Sequence, residues 1–138
     1  MQSDVIGSPN PEEPVLQGVR VLVVEDSWHV ARALKSVLEQ MGMAVAQPAA
    51  TLADAERLIA ANVFDLAVMD IDLKGETTYD LMDRLHDRGV RIVVLSGYPA
   101  LPDAIEKASA VLQKPFSGSE LLASLRNVLR VKAGAHTD

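Results

Sequence analysis

A length of 138 residues suits one domain, and 49% hydrophobic against 23% charged residues is typical of a globular protein rather than a disordered chain. The formal net charge of −6 argues against general nucleic-acid binding, which needs a concentrated basic surface. The absence of cysteine excludes disulfides and thiolate chemistry, and no apolar run approaches membrane-spanning length. Because the N-terminus lacks the basic and apolar regions of a signal peptide, we expect a cytoplasmic protein.

Strand patterns and helix patterns alternate along the chain after a proline-rich stretch, 1–17, that we expect to be a flexible tail. The strands are predicted at 19–24, 43–46, 65–70, 91–96 and 110–113, each rich in apolar residues. Apolar residues at helical spacing predict the intervening helices, with Gly42 and Gly89 near two helix ends and Thr51 as an N-cap. A short helix is predicted over 102–108, and the capping-box spacing of SGSE at 117–120 opens the last helix. We expect the domain to cover 18–131 and a C-terminal tail to cover 132–138.

This order of elements predicts an α/β fold of flavodoxin-like (βα)5 topology. Five strand–helix repeats with short connections favour a five-stranded parallel sheet, helices on both faces and right-handed crossovers. Ligands of such sheets bind at the carboxyl ends of the strands, near the topological switch point. The side chains at the strand ends therefore indicate the function.

Polar side chains end four of the five predicted strands. Glu25 and Asp26 follow the first strand, Asp70 ends the third, Ser96 ends the fourth and Lys114 follows the fifth. Three carboxylates brought close together repel one another, and a divalent cation relieves that repulsion. Magnesium suits the site best, since it prefers oxygen ligands and retains waters for a phosphoryl group, whereas no histidine or cysteine is present at these ends to favour zinc. The pattern predicts a nucleophilic Asp70, a Mg²⁺ ion held mainly by the acidic pair, and two groups that bind phosphoryl oxygens.

The motifs VLVVED, LAVMD, VVLSG and QKPF, in this order between about Val19 and Val131, resemble the receiver domain of two-component response regulators. The resemblance implies that Asp70 is the phosphoacceptor, carried as 4-aspartylphosphate, and that Ser96 is the switch hydroxyl. It implies that Lys114 contacts the phosphoryl group and that the Lys114–Pro115 bond is cis. It further implies Mg²⁺ ligands from Glu25, Asp26, Asp70 and the main-chain carbonyl of Asp72.

The resemblance also implies partners and a role. The phosphoryl donor would be a histidine kinase or a histidine phosphotransfer protein, and the output a conformational switch read by a protein partner. Because only KAGAHTD follows the last predicted helix, we expect a stand-alone regulator that acts as a switch, a phosphate shuttle or a phosphate sink. It would catalyse only its own phosphorylation and dephosphorylation and so not be an enzyme. We expect a monomer or weak dimer without nucleic-acid or membrane partners.

The chain departs from the family pattern at three places. The aromatic residue usual on the fifth strand is Val111 here, and Tyr98 is a candidate for that switch role. Ser96 and Lys114 are only 18 positions apart, which predicts an abbreviated or mobile fourth helix. Lys74 replaces a common loop proline, and either influences the approach of the phosphodonor or is a solvated loop lysine. Beside the acidic pair, the sole tryptophan, Trp28, either shapes the kinase-docking surface or is an incidental aromatic residue.

Two alternatives stay open from the residues. MDIDLKG also resembles the first motif of haloacid dehalogenase-like Mg²⁺-dependent phosphatases, although that motif normally occupies the first strand. The other alternative is a pseudo-receiver that folds without being phosphorylated and acts as a binding module, although such a chain would ordinarily lose one of the site groups. Turnover of a phosphomonoester, as opposed to one phosphoryl group per chain, separates the phosphatase from the receiver.

Overall fold

The computed structural model describes residues 16–97 and 106–130 of the chain. In chain order its elements are β1 Arg20–Val24, α1 Trp28–Gln40, β2 Ala44–Val45, α2 Leu52–Ala61, β3 Leu66–Asp70, β4 Asp72–Leu73, β5 Glu76–Thr77, α3 Tyr79–Asp87, β6 Arg91–Ser96, β7 Ala110–Gln113 and α4 Gly118–Arg130. Across the described ranges, no helix is long and apolar enough to cross a membrane.

Five of these strands form one parallel sheet in the order β2-β1-β3-β6-β7. Counted within this sheet alone, the order is the 2-1-3-4-5 of the flavodoxin-like doubly wound fold. Its topological switch point lies between β1 and β3, so the carboxyl ends of these two strands are neighbours at the predicted ligand-binding edge. The predicted fold class is confirmed.

Helices cover both faces of the sheet and create two apolar cores. Alternate residues of β1 point to opposite faces, so Leu22 and Val24 join one core while Val21 and Val23 join the other. The first core is completed mainly by α2 and α3, and the second by α1 and α4. Burial on both faces is the physical reason that the central strands are apolar throughout.

The helix ends follow the signals read from the sequence. Thr51 caps α2, because its Oγ1 accepts a hydrogen bond from Asp54 N at 3.0 Å. At the N-terminus of α4, Glu120 N donates to Ser117 Oγ at 3.1 Å and Ser117 N donates to Glu120 Oε1 at 2.8 Å, which is the predicted capping box. Gly42 lies at the end of α1 with a φ of +92°, a conformation that glycine adopts without strain.

A short hairpin directly after β3 was not predicted. β4 and β5 pair antiparallel, with Asp72 opposite Thr77 and Leu73 opposite Glu76. The two turn residues, Lys74 and Gly75, have φ values of 51° and 92°, and positive φ at both positions is characteristic of a type I′ hairpin turn. The loop that follows the third sheet strand is therefore an ordered hairpin with Lys74 exposed at its tip.

Other predictions fall partly outside the described residues. Of the predicted helix at 102–108, residues 102–105 lie outside them, 106–107 form a turn and 108 has no regular secondary structure, so the described part is not helical. The predicted tails, 1–17 and 132–138, also lie outside except for Leu16 and Gln17. Leu16, which belongs to the predicted tail, packs against the second core.

Candidate functional site

Three carboxylates meet at the carboxyl ends of β1 and β3. Glu25 and Asp26 follow β1, Asp70 ends β3, and one oxygen of each lies within 4.8 Å of the others. The parallel pairing of the two strands, with Val24 opposite Met69, produces this arrangement. Glu25 is buried, whereas Asp26 and Asp70 are half-buried and open to a ligand.

Lys114 reaches the carboxylates from the loop after β7. Its Nζ lies 3.0 Å from Glu25 Oε1 and 3.1 Å from Asp70 Oδ2. Its main-chain N–H donates to the carbonyl oxygen of Ser96 at 2.7 Å, which ties the lysine to the end of β6. The peptide bond between Lys114 and Pro115 is cis, as predicted. One ammonium group facing three carboxylates leaves an excess of negative charge at the site.

Burial and pairing oppose each other in the electrostatics of this cluster. Burial raises the pKa of Glu25, and hydrogen bonds from Ser27 N at 3.0 Å and from Lys114 offset only part of that effect. For Lys114, burial acts to lower the pKa, but hydrogen bonds to Glu25 and Asp70 outweigh it and the pKa is raised. Lys114 therefore stays cationic at neutral pH. The groups that donate to Glu25 do not fully compensate for its burial, so its carboxyl group ionises less readily than it does in water.

The donor set fits a magnesium ion. Glu25, Asp26 and Asp70 offer only oxygen ligands, and Mg²⁺ binds through one or two carboxylates while keeping several waters. The carboxylate of Asp72 is directed elsewhere, because its Oδ1 accepts from Gly75 N at 3.2 Å within the hairpin turn. The role implied for Asp72 through its main-chain carbonyl is compatible with this geometry and stays a prediction.

The remaining predicted residues are distributed around the cluster. Ser96 is the last residue of β6 and is 1% exposed; the register pairs Asp70 with Leu95, so Ser96 is the next residue along the adjacent strand. Tyr98 lies outside the described residues. Val111 is 40% exposed on β7, which is an edge strand of the sheet.

Trp28 borders the acidic pair at the start of α1. It is 62% exposed, and its ring lies 4.9 Å from the guanidinium carbon of Arg32. Together with Glu25, Asp26 and Arg32 it lines a cleft of about 330 Å³. This position makes Trp28 a natural spectroscopic reporter of ligands at the carboxylates.

Two residues that the sequence analysis missed support the site. Ser27 donates its main-chain N–H to Glu25, and Thr78 is fully buried with its hydroxyl 2.8 Å from the carbonyl oxygen of Asp70. Both precede helices, so the sequence carries a signal for them. That signal indicates helix capping, however, and not contact with the carboxylates or with the end of β3.

The comparisons with known proteins agree with this geometry. The family model described as "Response regulator receiver domain" matches residues 21–126. The chain is 31% identical over 132 residues to the C4-dicarboxylate transport transcriptional regulatory protein DctD of Pseudomonas aeruginosa, covering 89% of this chain and 28% of that protein. It is 34% identical over 122 residues to the transcriptional regulatory protein TctD of Salmonella typhimurium, covering 84% of this chain and 54% of that protein. The chain thus spans about half or less of the length of these curated relatives.

Solved structures of response regulators superimpose on the fold. A response regulator of Burkholderia pseudomallei, solved with a phosphorylated aspartic acid, a calcium ion and citrate, is 30% identical with a TM-score of 0.71, covering 86% of this chain and 73% of that chain. The response regulator TrrA of Thermotoga maritima, solved in complex with Mg²⁺-BeF, is 22% identical with a TM-score of 0.72, covering 80% and 99% of the two chains.

Proposed function

The chain belongs to the response regulator receiver family, and on that basis we propose that it accepts a phosphoryl group on Asp70 in a Mg²⁺-dependent reaction. Receiver domains take phosphoryl groups from histidine kinases, and the proposed donor is such a kinase or a histidine phosphotransfer protein. The observation that carries the proposal is the convergence of Glu25, Asp26, Asp70 and Lys114 on one edge of the sheet.

In the proposed reaction, the carboxylate of Asp70 is the nucleophile. One of its oxygens forms a bond to phosphorus as the phosphorus–nitrogen bond of the phosphohistidine breaks, and the electron pair stays on the imidazole. Hydrogen bonds from Ile71 N to Oδ1 at 3.0 Å and from Lys114 to Oδ2 at 3.1 Å hold the carboxylate in one orientation. Magnesium held among the three carboxylates would neutralise the charge on the phosphoryl oxygens.

Lys114 and Ser96 carry the response to phosphorylation in this proposal. The Lys114 ammonium already donates to Asp70, so it is placed to donate to an oxygen of the phosphoryl group while keeping its bond to Glu25. Ser96, on the neighbouring strand, would turn its hydroxyl toward the same group and shift an existing conformational equilibrium. Hydrolysis of the acyl phosphate returns Asp70 to its carboxylate and resets the domain.

The output of the domain is proposed to be a protein partner, or the phosphoryl group itself in a shuttle or a sink. The stand-alone role, the cytoplasmic location and the monomeric or weakly dimeric state stay predictions. So does the absence of a nucleic-acid partner, because the matched relatives are longer proteins named as transcriptional regulators. Asp70 ends the third sheet strand and not the first, which does not favour the phosphatase alternative.

Intact-mass measurement tests the proposal. The protein is incubated with Mg²⁺ and a small acyl phosphate, and separately with phosphorylated histidine kinases as donors. We expect a gain of one phosphoryl group that EDTA and Asp70→Asn both abolish. Asp72→Asn is the matched control, since it removes a neighbouring exposed carboxylate but keeps the main-chain carbonyl, and it should still accept the group.

Phosphorylation that persists in Asp70→Asn would refute the assignment of the phosphoacceptor. No transfer from any donor, with Mg²⁺ binding intact, would support the pseudo-receiver. Multiple turnovers of a phosphomonoester would support the phosphatase.

A further inference from the structure

Thr78 holds the peptide unit that follows the phosphoacceptor. The residue is fully buried, and its hydroxyl lies 2.8 Å from the carbonyl oxygen of Asp70 and 3.0 Å from that of Ile71. Its main-chain N–H also donates to the carbonyl of Ile71 at 2.9 Å. A hydroxyl has one proton, so the two carbonyls share it, and the end of β3 is bound to Thr78 at both residues.

This contact replaces the one that Thr78 would ordinarily make. Thr78 is the N-cap of α3, and the side chain of a threonine at that position usually accepts from a main-chain N–H in the first helical turn. Here the side chain makes no capping hydrogen bond. The comparable threonine before α2, Thr51, does make one. The N-terminus of α3 therefore lacks a side-chain capping hydrogen bond, while the Thr78 hydroxyl binds the main chain of the phosphoacceptor.

The bound peptide unit is also the one that orients the Asp70 carboxylate. Its carbonyl oxygen accepts from Thr78, and its N–H, that of Ile71, donates to Asp70 Oδ1 at 3.0 Å. A peptide unit is planar, so fixing the direction of the C=O also fixes the direction of the N–H. The chain of contacts runs from the Thr78 hydroxyl through one rigid plane to the nucleophilic carboxylate.

We propose that Thr78 is a positioning residue for phosphoryl transfer, because its hydroxyl fixes the 70–71 peptide plane and through it the Asp70 carboxylate. The inference rests on the proposed function of Asp70. The hairpin of β4 and β5 lies between Ile71 and Thr78, so the hydrogen bonds that join these two residues also hold the Asp72 carbonyl in position relative to Asp70. Thr78 therefore acts on both metal affinity and nucleophile orientation through its contacts with the main chain.

Four variants isolate the hydroxyl. Thr78→Val is close to isosteric and removes only the donor, whereas Thr78→Ser keeps it. Thr77→Val is the matched control, since Thr77 is an exposed threonine of the same hairpin. If Thr78→Val does not fold, the comparison of Thr78→Ser with Thr78→Ala isolates the hydroxyl in the absence of the methyl group.

Three readouts accompany thermal unfolding. These are the Mg²⁺ dissociation constant by calorimetry on the unphosphorylated protein, hydrogen exchange of the Ile71 amide, and the phosphorylation rate at saturating donor. For Thr78→Val we expect a dissociation constant about five- to tenfold higher, the change that one lost hydrogen bond produces, faster exchange at Ile71 and slower phosphorylation. Thr78→Ser and Thr77→Val should stay within about twofold of the wild type on all three readouts.

The proposal is overturned if Thr78→Val lowers thermal stability but leaves Mg²⁺ affinity, Ile71 exchange and phosphorylation unchanged. It is also overturned if Thr78→Ser behaves like Thr78→Val, since the methyl group and not the hydroxyl would then matter. A wild-type protein that binds Mg²⁺ but takes no phosphoryl group refutes the proposed function instead. These failures are therefore distinguishable.

Discussion

Lys114→Met removes the only ammonium group that contacts the carboxylate cluster among the described residues. Lys114 Nζ lies 3.0 Å from Glu25 Oε1 and 3.1 Å from Asp70 Oδ2, so it occupies the electrostatic position that a divalent cation would share. We expect the variant to be less stable without metal, to bind Mg²⁺ more tightly, and to be phosphorylated more slowly.

The distances set the magnitude. Two carboxylate oxygens at the 4.8 Å limit of the cluster repel by about 3.5 kcal/mol at an effective dielectric constant of about 20. In the wild type the Lys114 charge offsets this repulsion. Because the Lys114 side chain is 29% exposed, solvent screens part of the energy, and we expect Lys114→Met to lower the unfolding free energy by about 1–3 kcal/mol. If bound Mg²⁺ restores about 2 kcal/mol of the unfolding free energy that the variant loses, linkage requires Mg²⁺ affinity to rise by about 30-fold.

Urea unfolding in EDTA and in saturating Mg²⁺ measures this coupling. The difference in unfolding free energy between wild type and variant should be largest in EDTA and should shrink when Mg²⁺ is added. Lys107→Met is the control, because Lys107 forms a more exposed ion pair with Asp83 at 3.4 Å and its loss should have the same small effect in both conditions. A Lys114→Met variant that is destabilised equally in both conditions, or that binds Mg²⁺ more weakly, would refute this reasoning.

Two further predictions concern Glu25 and the hairpin turn. Burial raises the pKa of Glu25. Between the ordinary pKa and the raised one, the folded state therefore binds more protons than the unfolded state. The unfolding free energy measured in EDTA should fall as pH rises through that interval. Glu25→Gln should lack this fall and should raise the Mg²⁺ dissociation constant by at least about tenfold, since a full charge is lost; urea unfolding against pH and calorimetry measure both. Lys74 has a φ of 51° before Gly75, and Asn-Gly is the preferred pair for this turn, so Lys74→Asn should raise the urea-unfolding free energy by about 0.5–1 kcal/mol.

Each of these has a contradicting outcome. Parallel stability–pH profiles for wild type and Glu25→Gln would show that burial of the carboxylate does not govern its ionisation. For the turn, Lys74→Gln is the control for loss of the lysine charge at the same position, and a Lys74→Asn variant no more stable than that control would contradict the argument from backbone strain.

The fold could be predicted because its determinants are local or periodic. Strands buried on both faces must be apolar throughout, as 66–69 are, and a polar residue such as Asp70 then marks the point where the strand leaves the core. Capping signals at Thr51 and at Ser117 act within three residues, so they are read directly from the sequence. The boundaries of the short second strand were less accurate, since only Ala44 and Val45 pair with β1.

The site was predictable as a set of groups and not as a set of contacts. By itself the sequence determined which side chains end the strands. Because parallel strands bring their carboxyl ends to one edge of the sheet, these side chains could also be predicted to lie together. Only the tertiary structure decided that Lys114 bridges Glu25 and Asp70, residues 89 and 44 positions away. It also decided that Thr78 bonds the end of β3 instead of capping α3, and that the intervening loop is a hairpin. The local sequence permits either partner for the Thr78 hydroxyl, and the packing of α3 into one core with the sheet places the hydroxyl at the carbonyl of Asp70.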